Sequence, residues 1–422
     1  MKRKIAIVLA LLFCFMLLAA CGGNTPASPT PSSSAPSSAA PSSQPPPSTP
    51  EPPGTFTVGA LLNLTGWFST QDTANSEALQ AMVDILNEEG GIVVGGKTYM
   101  IEVDLQDGMS DATGTRNGAQ ILINNGRKYS IVANCFFIEG SLDLFHNAKV
   151  MTLMNMNSMN FEVLNPKWPY SFWVNNGAIH WIGSAMDAMK QHFPNVKSIV
   201  FCNNDDGNQG PMAERIKAEA EKRGLTYIDS PVFYDPNITD FSGVALQVIR
   251  TGADSFMGNF NPAMGSAMLK EIRNAGSDMV FAILSGNNAK TFIDAAGADV
   301  AWNMLTLGID QTEANTPASF WKLWNRVKDK YGEQAAVNIS LSGANSIYVL
   351  KQLIEGAQSF DVDDVIKYWD TKPALDTVRG PGTIGGLKTF GIDRVLSSPN
   401  AISLAEKGGV VKFGGWFPSS LD

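Results

Sequence analysis

Between Phe56 and Phe417, short runs of β-branched and aromatic residues alternate with stretches whose apolar positions recur at helical spacing. FTVGALLNL (residues 56–64) reads as a strand. Leu79, Met82, Val83 and Leu86 then follow at i, i+3, i+4, i+7 until Gly90-Gly91 stops the helix. YMIEVDLQD (99–107) returns to strand, and a helix over about Thr113–Asn125 puts Ala119, Leu122 and Ile123 on one face before the strands SIVANC and VMTLMN. The pattern restarts after PYSFWV (169–174): helix Ile179–His192, strand SIVFCN, a helix opening at Pro211, strand YIDSPVFY, helix Ser242–Arg250, strand SFMGNF, a further helix and strand VFAIL. From Asn303 come a strand, helices over Pro317–Lys330 and Leu341–Gly356, and a glycine-rich, hairpin-like end. Repeated βαβ units predict an α/β fold with parallel sheets covered on both faces.

The pattern breaks at the amino end. Lys2-Arg3-Lys4 precedes an unbroken apolar run, Ile5–Ala20, that is short for a bilayer core and ends in small residues, the layout of an export signal. Leu18-Ala19-Ala20-Cys21 resembles a bacterial lipobox, which implies cleavage before Cys21 and acylation of its sulfur; multiple acyl chains give a stable anchor to the bilayer. Ordinary secretory cleavage nearby is the alternative. Thr25–Pro53 holds 11 Pro and 9 Ser among 29 residues, too little apolar surface to pack, so residues 21–54 are expected to form an extended tether.

The remaining 370 or so residues exceed one ordinary core, and two domains are expected. The formal charge is −9; loss of the three basic leader residues leaves 28 Lys and Arg against 40 acids, or −12. That balance disfavours nucleic acid and anionic headgroups as partners. Once Cys14 departs with the leader and Cys21 takes lipid, Cys135 and Cys202 remain. They sit in equivalent strand-like runs of different halves and read as two separate buried thiols, with a disulfide as the alternative.

Two motifs suggest other chemistry and fail on context. GIVVGGKT (91–98) matches G-x4-G-K-[ST], but a helix precedes it and a strand follows, so Gly95-Gly96 reads as a tight turn. Gly380, Gly382 and Gly385 fit G-x-G-x-x-G, but LKTF after them is not expected to open a dinucleotide-binding helix. There is no G-x-S-x-G, H-E-x-x-H or C-x-x-C, and His146, His180 and His192 are scattered. Neither an enzyme nor a cofactor or metal site is expected.

VGALLNLTGWFS, LNEEGGI, IEVDLQD, the FWV run at Trp173, DFSGVALQVIRTGADSF and MLKEIRNAGSD, in this order and spacing, resemble the Leu/Ile/Val-type solute-binding proteins of ABC importers. The resemblance implies the type I periplasmic-binding-protein fold: two Rossmann-like lobes, each a doubly wound parallel sheet, joined by three hinge crossovers near residues 174, 302 and 395. Lobe 1 is then 55–173 plus 303–395, and lobe 2 is 174–302 plus 396–422. It also implies a small-molecule ligand held between lobes and an ABC permease as membrane partner. A lipoprotein sensor of the same fold, signalling to a membrane partner, and a hydrolase are the alternatives.

In doubly wound sheets ligands meet loops at the carboxyl ends of strands. Those loops offer Trp67 and Ser69, then Phe136 and Phe137, where the family often presents a carboxylate-binding Ser. Asn157 and Ser158 follow, Ser158 matching a Thr of the family's carboxylate-holding segment. Gly207 stands where the family has Tyr, and Phe260 and Asn261 where it places ligand-facing aromatics. Ser285 occupies the place of the acid that pairs with an amino acid's ammonium, and no acid lies between Met279 and Phe292. A desolvated ammonium needs a partner, so the expected ligand is an apolar or aromatic carboxylate or amide rather than leucine.

Overall fold

The computed structural model describes residues 52–132, 137–155, 163–205, 209–235, 237–309 and 316–419. Of the positions singled out above, Cys21, Cys135, Phe136, Asn157, Ser158 and Gly207 lie outside the described residues.

The chain first lays down β1 (Gly54–Leu62), β2 (Ile92–Val94), β3 (Lys97–Asp107), β4 (Tyr129–Val132), β5 (Met151–Asn155) and β6 (Ser171–Asn175). Its middle supplies β7 (Ser198–Asn204), β8 (Thr226–Tyr227), β9 (Val232–Tyr234), β10 (Ser255–Gly258), β11 (Val280–Ile283) and β12 (Met304–Thr306). The last part adds β13 (Asp376–Thr377), β14 (Gly380–Pro381), β15 (Thr383–Gly385), β16 (Val395–Ser397), β17 (Asn400–Glu406) and β18 (Val410–Phe417). They form two large sheets, β15-β16-β6-β5-β4-β1-β3-β2 and β18-β17-β12-β11-β10-β7-β8, with β9 also on β7. Interior pairs are parallel; the antiparallel pairs β2/β3, β15/β16, β12/β17 and β17/β18 lie toward the edges.

Helices cover both faces of each sheet because their apolar stripes have nowhere else to go. On the first sheet, Leu79, Met82 and Leu86 of helix Ser69–Glu88 pack with Ile347, Leu350 and Ile354 of helix Ser342–Ala357 on one face. Ala119, Leu122 and Phe145, from helices Ala112–Asn124 and Glu139–Asn147, pack on the other. On the second sheet, helices Ala178–His192 and Gln209–Lys222 cover one face through Met186, Met189 and Ile216. Helices Ser242–Arg250, Pro262–Asn274 and Ala289–Ala296 cover the other through Val248, Leu269 and Phe292.

The chain passes between sheets three times: from Asn175 to Ala178, between Thr306 and Ala318, and from Ser397 to Asn400. The outer two passages fall within a few residues of the expected 174 and 395. The middle one comes later than 302, because Met304–Thr306 is a buried strand paired to both β11 and β17 and belongs to the second sheet.

Other differences are local. YIDSPVFY divides into β8 and β9 around Pro231, which cannot donate to a ladder. Leu387–Phe390, not expected to open a dinucleotide-binding helix, is a single helical turn joining β15 to β16, which pair antiparallel rather than as the two parallel strands of a βαβ unit. Gly95 and Gly96, at φ 59° and 76°, make the two-residue turn between β2 and β3, a geometry that requires both residues left-handed. Cys202 is a free thiol buried in β7. No helix among the described residues is long and apolar enough to cross a membrane.

Candidate functional site

Strand carboxyl ends from both sheets open onto one cavity of about 710 Å³. From the first sheet come Asn155 at the end of β5 and Asn175-Asn176 after β6; from the second come Asn259–Asn261 after β10 and Ser285–Asn288 after β11. Phe68, Gln71 and Ala74 at the start of helix Ser69–Glu88, Trp181, Ile309, Phe320, the 337–342 segment and Arg379 complete the wall.

Most of these amides and hydroxyls hold the walls in shape. Asn261 and Asn288 cap the helices Pro262–Asn274 and Ala289–Ala296, accepting from the backbone N–H of Met264 at 2.9 Å and Thr291 at 3.2 Å. Ser285 Oγ accepts from Asn287 Nδ2 at 2.8 Å, and the Ser285 carbonyl accepts from Leu307 N at 3.0 Å, so the loop after β11 is tied to the middle passage. Asn176 bonds reciprocally across the outer passages: its Nδ2 donates to the Ser398 carbonyl (2.6 Å) and Asn400 Oδ1 (2.8 Å), and its Oδ1 accepts from Ser398 N (2.9 Å). Gln71 Nε2 donates to Ser340 Oγ (2.8 Å), which donates to Asn75 Oδ1 (2.6 Å), and Asn75 donates to the buried Asp72 (2.9 Å). This chain fixes the 337–342 segment to the first long helix.

The expected site residues divide. Phe260, Asn261 and Ser285 line the cavity. Phe260 is fully buried, stacked on Tyr234 at 5.8 Å, so it serves as packed wall, and Ser285 is 7 % exposed. Trp67, Ser69 and Phe137 are not among the lining residues. Trp67 is 66 % exposed, edge-on to Phe68 at 5.2 Å, and Phe68 is the aromatic that reaches the wall. Asp107 sets this: it accepts from the backbone N–H groups of Leu64 (2.9 Å), Thr65 (3.3 Å) and Met109 (2.8 Å) and from Thr65 Oγ1 (2.7 Å), clamping the loop after β1. Against the desolvation that burial imposes, those bonds hold its carboxyl below the usual range.

Sequence reasoning missed Asn175-Asn176, Gln71, the 337–342 segment and Arg379. Most lie outside the loops that follow predicted strands of a βαβ unit, and only the chain's return to the first sheet brings them in. Among the described lining residues Arg379 alone is ionisable. Burial pushes its guanidinium down to about 10, which leaves it cationic at neutral pH. The described lining is otherwise amide, hydroxyl and apolar, a surface suited to holding a small molecule.

Comparison with known proteins agrees with the fold. The branched-chain amino acid transporter substrate binding protein LivJ from Streptococcus pneumoniae, solved with isoleucine, superposes with a TM-score of 0.64 at 16% identity, covering 85% of this chain and 99% of that one. An amino acid ABC transporter substrate-binding protein from Pseudomonas fluorescens gives 0.71 at 15% identity, covering 89% and 98%. A solute binding protein from R. palustris, solved with 4-hydroxybenzoate, gives 0.64 at 16%, covering 86% and 97%. The family model described as periplasmic binding protein matches residues 55–391, most of the described chain. With two doubly wound sheets, three passages and a cavity between strand ends, the chain belongs to the periplasmic binding protein family, a family of binding proteins and not of enzymes.

Proposed function

We propose that this protein is the solute receptor of an ABC importer, held at the extracytoplasmic face of the membrane by acylated Cys21 and the Pro/Ser-rich tether. One observation carries the reading: a single cavity is lined from the strand ends of both sheets, so a bound solute would touch both and favour their closure. The lobes are taken as 55–173 with the segment after the middle passage up to about 395, and 174 to that passage with 396–422. The printed descriptions of the relatives as transporter binding proteins support the permease as partner.

The ligand is read as a small apolar or aromatic carboxylate or amide. No acidic residue is among the described lining residues, so an α-ammonium would find no counter-charge there. The relative solved with 4-hydroxybenzoate supports an aromatic carboxylate without an amine as the kind of ligand this fold can take.

Mass spectrometry of whatever copurifies, followed by thermal-shift screening of amino acids against aliphatic and aromatic acids, tests this. A true ligand at 100 times its Kd stabilises by about 2.7 kcal/mol. Failure of every solute to stabilise the protein would reject solute capture. For the anchor, Cys21→Ser should move the protein from the membrane fraction to the soluble one; unchanged membrane association would reject acylation at that residue.

A further inference from the structure

Arg379 stands at the tip of the β13–β14 hairpin, in a turn built to keep it still. Thr377 Oγ1 donates to the Gly380 carbonyl (2.7 Å) and accepts from Arg379 N (3.1 Å). Asn345 Oδ1 accepts from Val378 N (2.9 Å) while its Nδ2 donates to the Val174 carbonyl (2.6 Å), joining the turn to the end of β6 beside the cavity wall. Gln352 exchanges two bonds with the backbone of Asp376, both at 2.9 Å. Thr377 and Val378 are buried, so the turn is rooted in the core although Asp376 and Pro381 at the hairpin's outer ends are exposed.

The guanidinium on this rigid mount has no hydrogen bond, ion pair or ring contact with any described residue, and no charge among the described residues offsets its desolvation. Holding an uncompensated cation in a half-buried cavity is unfavourable, and a neutral side chain of similar length would pack there at lower cost. Function is the usual reason such a conflict persists. We propose that Arg379 is the anion anchor of the cavity, taking the carboxylate of a small monocarboxylic acid that carries no other charge. Charge balance selects the class: one cation and an otherwise neutral described lining match one negative charge. Among the described lining residues a zwitterion's ammonium or a dianion's second carboxylate would find no counter-charge. The guanidinium fork suits a carboxylate because it offers two parallel N–H donors.

This rests on the cavity being the solute site, and the test separates the two claims. Wild type, Arg379→Gln and Arg379→Lys are titrated calorimetrically with acetate, benzoate, 4-hydroxybenzoate and 4-methylpentanoate, with the corresponding amides, and with leucine. Wild type should bind at least one acid and bind its amide at least tenfold more weakly. Arg379→Gln should lose that acid at least tenfold, and Arg379→Lys should recover part of the loss. The unliganded Arg379→Gln protein should melt at or above the wild-type temperature, which a merely structural arginine would not allow. Amides or leucine bound as tightly as the acids, with Arg379→Gln unchanged, would overturn the anchor and leave solute capture standing. A lower melting temperature in unliganded Arg379→Gln would also overturn the anchor, and no binding by any probe would overturn both claims.

Discussion

His180 shows at the scale of one residue how far environment overrides intrinsic chemistry. In the sequence it is one of three scattered histidines. In the fold it is 2 % exposed at the start of helix Ala178–His192, its Nδ1 accepting from Gly177 N (3.1 Å), its carbonyl accepting from Asn400 Nδ2 (3.1 Å). Burial first, and the nearby Arg215 second, push it from 6.5 down to about 3. Its neutral form is therefore favoured in the native state, and the unfolded chain binds the proton first. Stability from this group is complete above about pH 6.5 and is lost progressively as pH falls toward 3. Between pH 7 and 5 the loss amounts to about 2 kcal/mol. Urea unfolding at the two pH values should show that difference in wild type and not in His180→Asn; parallel losses would refute the assignment. Nothing in the sequence around His180 signals this, because the partners that seal it, Arg215 and Asn400, are distant in the chain.

Among elements, glycine separates positions the fold needs from positions it tolerates. A Cβ on Gly258, at the end of β10, would overlap the Cys202 carbonyl of neighbouring β7 and crowd Phe260, so Gly258→Ala must push apart two central strands at the edge of the cavity. A cost of about 1–3 kcal/mol is expected. Gly243 lies exposed in helix Ser242–Arg250 with nothing within 4 Å of its Cβ site, so Gly243→Ala should stabilise by about 0.5–1 kcal/mol through lost freedom in the unfolded chain. Paired thermal denaturation checks the opposite signs; same-sign shifts would contradict the packing described. The helical and strand periods of both regions were legible beforehand, and Ser242–Arg250 falls where the pattern puts it. The difference between the two glycines was not, because it depends on which strand lies alongside.

For the whole molecule, the decisive features are the three passages. Asn176 and Asn400 knit the first to the third: Asn400 Nδ2 donates to the His180 carbonyl and to Ser184 Oγ (3.0 Å), and Ser184 Oγ donates to the Pro418 carbonyl (2.9 Å). Removing the Asn176 amide leaves the Ser398 carbonyl and N–H without these partners in a mostly buried setting. Asn176→Ala should therefore cost about 1–3 kcal/mol of stability. If the passages act as the hinge, the same variant should alter the contraction in radius of gyration that ligand produces in solution scattering. A wild type whose dimensions do not change with ligand would refute closure; a variant as stable as wild type would refute the role given to the amide.

What the chain determined by itself is what depends on neighbours in sequence: the alternation of strand and helix, the turn at Gly95-Gly96, the repeated βαβ units that predict parallel sheets covered on both faces, and the lack of an acid in the loop after β11. Each follows from local periodicity, turn chemistry or the order of short segments. Tertiary structure alone decided that Phe68 and not Trp67 forms wall, that Met304–Thr306 belongs to the second sheet, and that the 337–342 segment and Arg379 come to the cavity. These depend on contacts between segments that are not neighbours in sequence, 43 residues apart for Asp107 and Leu64 and 269 for Gln71 and Ser340, and no local pattern encodes which such groups will meet once the chain has folded back.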